Sequence, residues 1–463
     1  MVIRIASGTQ IDGFTVGERV HAGEMGALFR VTGRDIGFPM VMKAPRLGEG
    51  EDASGLLGFE TEHVILPALQ GPHVARFVAS GAIAKVPYLV MEWIEGRSLA
   101  ELVEGAPLPA EEVARHGAAI AEALHAIHLQ DAVHHDVKPD NIILRPSGQA
   151  ALIDFGLAHH ARFPDLLAEE QRFLAGSAPY IAPEPVTGQR ADLRSDLFSL
   201  GVVLYELATA RLPFGVPRTL AGLRDRLWLD PVPPSAYAPV PSWLQEVILR
   251  CLEPDPSLRY PSAALIAFDL RNPEQVELTE RARRSERPRF WKQAARWWDA
   301  RHREPERRPI PNARSGDALI VLVAVDTVHD TDARHPALQR EVAQVLAASP
   351  DVRLMFVSVV PVKIGARMQD SPQVENRVRL RSWVQPFRLP AHRHSLHVLE
   401  SGDPAASLLD YARANLVDLI VLGAPGPSQL GLAWWRSIAS TVTSHAHCSV
   451  HVVRAPDGEA EAA

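Results

Sequence analysis

Short alternating or fully apolar segments crowd the first ninety residues: FTVGERV, ALFRVTG, FPMVMKA and YLVME, placed around a single helical stretch from about Phe59 to Leu69. A period of two between polar and apolar positions is that of a pleated strand, so this part predicts a small sheet-rich lobe with one helix. From Leu99 to Leu270 the period lengthens. ARHGAAIAEALHAIH and DLFSLGVVLYELATA set apolar residues at i, i+3 and i+4, which predicts a helical lobe. From Ala318 onward, near-continuous apolar runs (ALIVLVAVD, VRLMFVSVV, DLIVLGA, SVHVVRA) alternate with helical periods (HPALQREVAQVLAAS, SLLDYARANL, SIASTVTSHA). Strands that are apolar on both faces and separated by helices predict an α/β domain with a doubly wound, parallel sheet.

Between these blocks the pattern breaks. Residues 281–308 carry eleven Lys or Arg against four acids, together with Trp291, Trp297 and Trp298. Three segments result: 11–270 (sheet lobe to about 90, helical lobe from about 95), a basic, Trp-rich linker over 271–315, and 316–455. A chain of 463 residues exceeds what one core normally serves, which agrees with this division. On a helix, RFWKQAARWWDARHR would align Phe290 with Trp297 and Trp291 with Trp298. Such a stripe packs against a neighbouring domain or rests weakly on an anionic membrane surface, and intramolecular packing is the preferred reading.

Charge and cysteine content narrow the class. A formal net charge of −7 argues against nucleic acid as a general partner. Cys251 and Cys448 are far apart and fit neither a metal spacing nor a disulfide framework, as expected of buried thiols in a reducing cytoplasm. The start of the sequence lacks a secretory pattern, and no run of 18 or more apolar residues follows, so a cytoplasmic location is expected.

Motifs in fixed order carry the chemistry of moving a γ-phosphoryl group from Mg-ATP to a hydroxyl. VHAGEMGAL places Gly23 and Gly26 in a loop able to close over phosphates, with Val20 and Leu28 beside it. Lys43 ends MVMK and supplies a cation for the α/β-phosphates; Glu62, on the predicted helix, is its natural partner. PYLVMEWIEGRSL resembles the strand and hinge behind a bound adenine, with Met91 at the gatekeeper position and Glu92 to Ile94 offering backbone hydrogen bonds. HHDVKPDNIIL and IDFGLA are the most specific segments. There Asp136 is the candidate to orient or accept the hydroxyl proton, Lys138 to neutralise the transferring phosphate, and Asn141 and Asp154 to hold Mg²⁺, with Mn²⁺ as the alternative.

These segments resemble the Hanks-type (eukaryotic-like) serine/threonine protein kinases of bacteria over about 260 residues. The resemblance implies the bilobal kinase fold, ATP as phosphoryl donor and a protein bearing Ser or Thr as acceptor. It also implies that Glu184 of GSAPYIAPE pairs with Arg259 of PDPSLRYPS, and that Asp196 of RSDLFSLG braces the catalytic loop. Two departures concern control. His135 stands where the family has an arginine that meets an activation-segment phosphate, and residues 157–176 contain no Ser, Thr or Tyr. The segment is therefore expected to be set by packing, by a partner or by the second domain. Two further departures are His21 for the first loop glycine and Ser177 for a threonine.

DLIVLGAPGPSQLGLAWWRSIAST is a strand, a glycine loop and a helix, an arrangement suited to anions. Residues 316–455 resemble the universal stress protein domain. ATP-binding members carry Gly-x2-Gly-x9-Gly-Ser/Thr; here Gly423, Gly426 and Ser437 match, and Arg436 replaces the third glycine, where it would either block phosphate or contribute charge to it. In the nucleotide-binding reading Asp326 lies near ribose or adenine. In the other, the domain is a dimerisation module pairing through its last strand. The expected whole is a serine/threonine kinase without the ordinary phosphorylation switch, coupled to a stress-sensing or dimerisation domain. The alternative is a catalytically weak nucleotide-binding scaffold or pseudokinase.

Overall fold

A computed structural model of the chain describes residues 5–23, 26–33, 36–45, 53–81, 87–169, 178–186, 190–217, 219–286, 319–328, 334–349, 351–361, 372–390, 393–424 and 433–454. The first lobe is an antiparallel sheet of β1 (Phe14–Gly23), β2 (Gly26–Thr32), β3 (Met40–Ala44), β4 (Phe77–Gly81) and β5 (Tyr88–Glu92). A two-residue strand, Gln10–Ile11, extends its edge, and the spatial order from there is β1, β2, β3, β5, β4. Alternate residues Phe14, Val16, Phe29, Val31, Met40 and Met42 fill one face.

The helix of this lobe, α1, spans Ala53–Ile65 and continues as a 3-10 turn over Leu66–Ala68. It starts and ends earlier than the apolar period suggested. Pro67 has no N–H to continue the ladder and disfavours α geometry before it, which ends the helix at Ile65. Its other departure is burial: Leu56, Leu57, Phe59, Glu60, Thr61, Glu62 and Ile65 are all buried. An ordinary surface helix hides one stripe; this one is covered on several sides.

The helical lobe holds α2 (Leu99–Val103), α3 (Ala110–His128), short strands β6 (Ile142–Leu144) and β7 (Ala150–Leu152), α4 (Leu166–Glu169), α5 (Arg194–Thr209), α6 (Ser242–Cys251) and α7 (Ala263–Arg271). Its core runs through α3, α5, α6 and α7, with Ile120, Leu124, Leu200, Leu204, Val247 and Ile266 among its members. Residues 272–286, where the linker was expected to begin, pack on this lobe. Gln245 Nε2 donates to the carbonyls of Arg281 and Arg284 at 2.9 Å, and Arg281 pairs with Glu246 and Glu253. The tryptophans at 291, 297 and 298 lie outside the described residues.

The C-terminal domain is a five-stranded, all-parallel sheet. In chain order it comprises β8 (Ile320–Ala324), α8 (Arg334–Ala348), β9 (Arg353–Val360), α9 (Pro372–Val384), β10 (His394–Glu400), α10 (Pro404–Ala414), β11 (Leu419–Ala424), α11 (Ala433–His445) and β12 (Ser449–Arg454). The strand order is β10, β9, β8, β11, β12. Val321, Val323 and Phe356 face α8 and α9, while Ile320, Leu322 and Met355 face α10 and α11, so both sides of the sheet are covered. Cys251 is buried as expected, but Cys448 is only half-buried, because it sits in the turn just before edge strand β12.

Candidate active site

Lys43, near the end of β3, reaches Glu62 Oε2 on α1 at 2.5 Å and Asp154 Oδ1 at 3.0 Å. Burial alone would lower the pKa of this ammonium, but Asp154 and Glu62 outweigh it and hold it well above its ordinary value, so Lys43 stays charged. Asp154 shifts the opposite way: burial would raise its pKa, and Lys43 pulls it below the usual carboxylate range. The second oxygen of Glu62 accepts the Phe155 N–H at 3.3 Å, so one carboxylate ties the lysine strand to the segment carrying Asp154. Asp154 itself is left-handed, at φ 64°. That costs on the order of 1 kcal/mol, and its Oδ1 accepts the Gly156 N–H at 3.3 Å in that conformation.

Across the cleft, Asp136 Oδ2 receives Lys138 Nζ and Asn141 Nδ2, both at 2.8 Å. Asn141 Nδ2 also donates to the Asp136 carbonyl at 2.9 Å. With the nitrogen committed, Oδ1 is the oxygen Asn141 has to offer. An amide oxygen here and a carboxylate at Asp154 form a hard-oxygen donor set, which fits Mg²⁺ or Mn²⁺. Asp196 accepts the N–H groups of His134 at 2.8 Å and His135 at 2.9 Å, and Nε2 of His128 at 2.9 Å. Burial opposes its ionisation, but the His128 hydrogen bond brings its pKa down to about 2. The His134 ring packs on Phe155 at 4.9 Å between centroids.

The family described as Protein kinase domain matches residues 14–268, over half of the sequence. This chain belongs to that family. A second family, described as Universal stress protein family, matches residues 319–454. A probable serine/threonine-protein kinase of Corynebacterium efficiens is 30% identical over 56% of this chain and 41% of its own length. Serine/threonine-protein kinase Pkn1 of Myxococcus xanthus is 34% identical over 60% and 40%, and PknB of Mycolicibacterium smegmatis 30% over 56% and 42%. The chain thus spans about two fifths of the length of these curated relatives.

The remaining kinase-domain candidates lie on strands β1, β2 and β5, in the segment after β5 and within the helical lobe. Gly23 and Gly26 pair at the tip of the β1–β2 hairpin, and Leu28 pairs with His21, next to Val20. Gly26 has φ 140°, and a Cβ there would run into the Ala44 carbonyl, so only glycine fits. Met91 pairs with Val41 of β3. Of the three hinge amides, Glu92 N–H already donates to Arg76 O at 2.9 Å and Trp93 N–H to Pro39 O at 2.8 Å. The Glu92 side chain faces Arg76 and Arg145 at 3.1 Å each; burial would raise its pKa, but these arginines draw it lower. Ile94 is buried. Glu184 meets Arg259 in a fully buried ion pair. Ser177 lies outside the described residues.

Sequence reasoning missed the pair that holds the activation segment. Arg190 Nε donates to Asp165 Oδ2 at 2.9 Å and Nη2 to Leu157 O at 2.6 Å, while His135 Nε2 contacts Arg190 O at 2.5 Å. The only signal for it was an acid in a stretch without hydroxyls. His135 is no cation: burial, reinforced by Arg190, pushes its pKa down to about 3.

In the C-terminal domain Asp326 follows β8 and lines a cavity of about 180 Å³ with Val357, Val359, Pro361, Leu408 and Ile438. Its Oδ1 accepts the Val328 N–H at 3.0 Å. Gly423 lies in β11, with nothing within 4 Å of where a Cβ would sit among the described residues. Gly426 is outside those residues, as are the side chains of Arg436 and Ser437, although both of these positions belong to α11.

Proposed function

We propose that this chain is an ATP-dependent kinase that phosphorylates serine or threonine on protein substrates, with an activation segment that needs no phosphate. The observation that carries this reading is the joint geometry of Lys43, Glu62 and Asp154 on one side and Asp136, Lys138 and Asn141 on the other. Asp136 accepts the proton of the attacking hydroxyl as the new O–P bond forms and the bond from Pγ to the bridging oxygen breaks. Lys138, 2.8 Å from that carboxylate, neutralises charge on the transferred group. Lys43 binds the α/β-phosphates, and Asn141 and Asp154 would hold a divalent cation, which stabilises phosphate charge when bound. In the C-terminal domain, the cavity beside Asp326 is the candidate site for the nucleoside part of a second nucleotide, and edge strand β12 the candidate for homodimer pairing.

The test is transfer from γ-labelled ATP to a generic protein substrate by the full chain, with Asp136→Asn alongside. Transfer that depends on Asp136 and on added Mg²⁺ supports the kinase. Nucleotide binding without transfer in either protein would replace it with the scaffold reading.

A further inference from the structure

Two carboxylates of the kinase domain are buried against the C-terminal domain. Glu60, on α1, is 3% exposed. Its Oε2 accepts Arg377 Nε at 2.9 Å and Nη2 at 2.8 Å, and its Oε1 accepts Arg381 Nη2 at 3.1 Å. Arg377 and Arg381 stand one turn apart on α9. Glu169, the last residue of α4, is 1% exposed, and its carboxylate is held by Arg353 at the start of β9 and by His397 Nε2 at 2.6 Å from the middle of β10. These are not screened surface pairs, which contribute little. Removing the arginines leaves a buried carboxylate without its charged partner.

The two anchor points are the parts of a kinase domain whose placement sets competence. Glu60 and Glu62 are two residues apart on one helix, about 200° around its axis. Glu62 therefore meets Lys43 on one face while Glu60 meets α9 on the opposite face. α4 belongs to the activation segment and packs Leu167 with Leu57 of α1 and Leu157. The mounting of α9 is itself firm: Thr327 Oγ1 donates to Asn376 Oδ1 at 2.7 Å, and Arg379 Nη1 donates to the Thr327 carbonyl at 2.9 Å. No hydroxyl in residues 157–176 offers phosphorylation as another means of fixing the segment.

We propose that the C-terminal domain is an intramolecular clamp, in which Arg377 and Arg381 on Glu60, and Arg353 and His397 on Glu169, hold α1 and the activation segment where the Lys43–Glu62 pair is made. Docking is then an activating contact. Its effect on rate rests on the kinase reading; the contact itself does not.

Hydrogen exchange and phosphoryl transfer are to be measured on the full chain and on its Arg377→Ala/Arg381→Ala form. Amides of α1 should exchange roughly tenfold faster or more, with α3 unchanged as the internal control of folding, and transfer should fall by a similar factor. If α3 loosens as well, Arg381→Ala, whose side chain is 29% exposed, is the milder variant to be read the same way. Unchanged exchange in α1 overturns the clamp. Faster exchange with equal or higher transfer overturns its activating sense. A wild-type chain that transfers no phosphate counts against the kinase reading alone, and the exchange result still decides the contact.

Discussion

Arg190 and Asp165 form an ion pair at 2.9 Å with side chains only 3% and 2% exposed. Burial would raise the Asp165 pKa, but Arg190 keeps it below its ordinary value, so the carboxylate stays charged. In the kinases that this sequence resembles, an arginine next to the catalytic aspartate receives a phosphate. Here His135 occupies that position and contacts the Arg190 carbonyl, while the Arg190 side chain is paired with Asp165.

Asp165→Ala should leave Arg190 buried without its partner, at a cost of about 3–5 kcal/mol to the local structure. Transfer should drop by at least roughly tenfold. Phosphatase treatment of the wild-type protein should leave its rate unchanged, and a reversible loss of activity after that treatment would contradict an activation segment that needs no phosphate.

His135 gives the fold an acid-side weakness. Its folded pKa of about 3 lies below the ordinary 6.5, so the unfolded chain takes up this proton first as pH falls. The stabilisation from keeping it neutral is complete above pH 6.5 and is lost progressively down to pH 3. At about 1.4 kcal/mol per pH unit, the loss between pH 6.5 and 5 is about 2 kcal/mol. Asp196, at about 2, gives up its share only in more acidic solution, below its ordinary 3.8, and does not confuse this window. Unfolding free energies from denaturant titrations at pH 7 and pH 5 should therefore differ by about 2 kcal/mol less in His135→Gln than in wild type.

How much of this was legible beforehand depends on distance along the chain. Asp136, Lys138 and Asn141 fall within six residues, so local backbone geometry fixes their relation and a motif reveals it. Glu62 was reachable because one helix followed the lysine strand, and the parallel sheet because apolar runs alternated with helical periods. Arg190 with Asp165, 25 residues apart, and Arg377 with Glu60, 317 apart, leave no such pattern. Each arginine looks like a solvated surface charge until tertiary packing buries it. The near-complete burial of α1 was hidden for the same reason, since the element covering its outer face belongs to another domain.

Glu62→Gln separates holding the lysine from binding nucleotide. Lys43 keeps Asp154 at 3.0 Å, so the ammonium remains paired, but the link from α1 to the Phe155 amide is weakened. The expected result is a fall in kcat of roughly 10- to 100-fold, equal to about 1.4–2.7 kcal/mol, with a smaller change in KM for ATP. A change confined to KM would mean that Glu62 acts only on ground-state binding.

Arg259 is the structural counterpart of these sites. Besides Glu184 it donates Nε to Glu253 O at 2.7 Å, Nη1 to Arg194 O at 2.9 Å and Nη2 to Pro254 O at 3.2 Å. Burial raises the Glu184 pKa even with this partner present, which shows how poorly the site tolerates a lone carboxylate. Arg259→Ala should therefore lower stability by about 3–5 kcal/mol, read as a shifted denaturant midpoint at constant slope. Arg259→Lys supplies a point charge without the planar fork, cannot reach all of these acceptors, and should recover less than about half of that loss. A loss below about 1 kcal/mol for the alanine variant would show that the pair contributes no more than an exposed one.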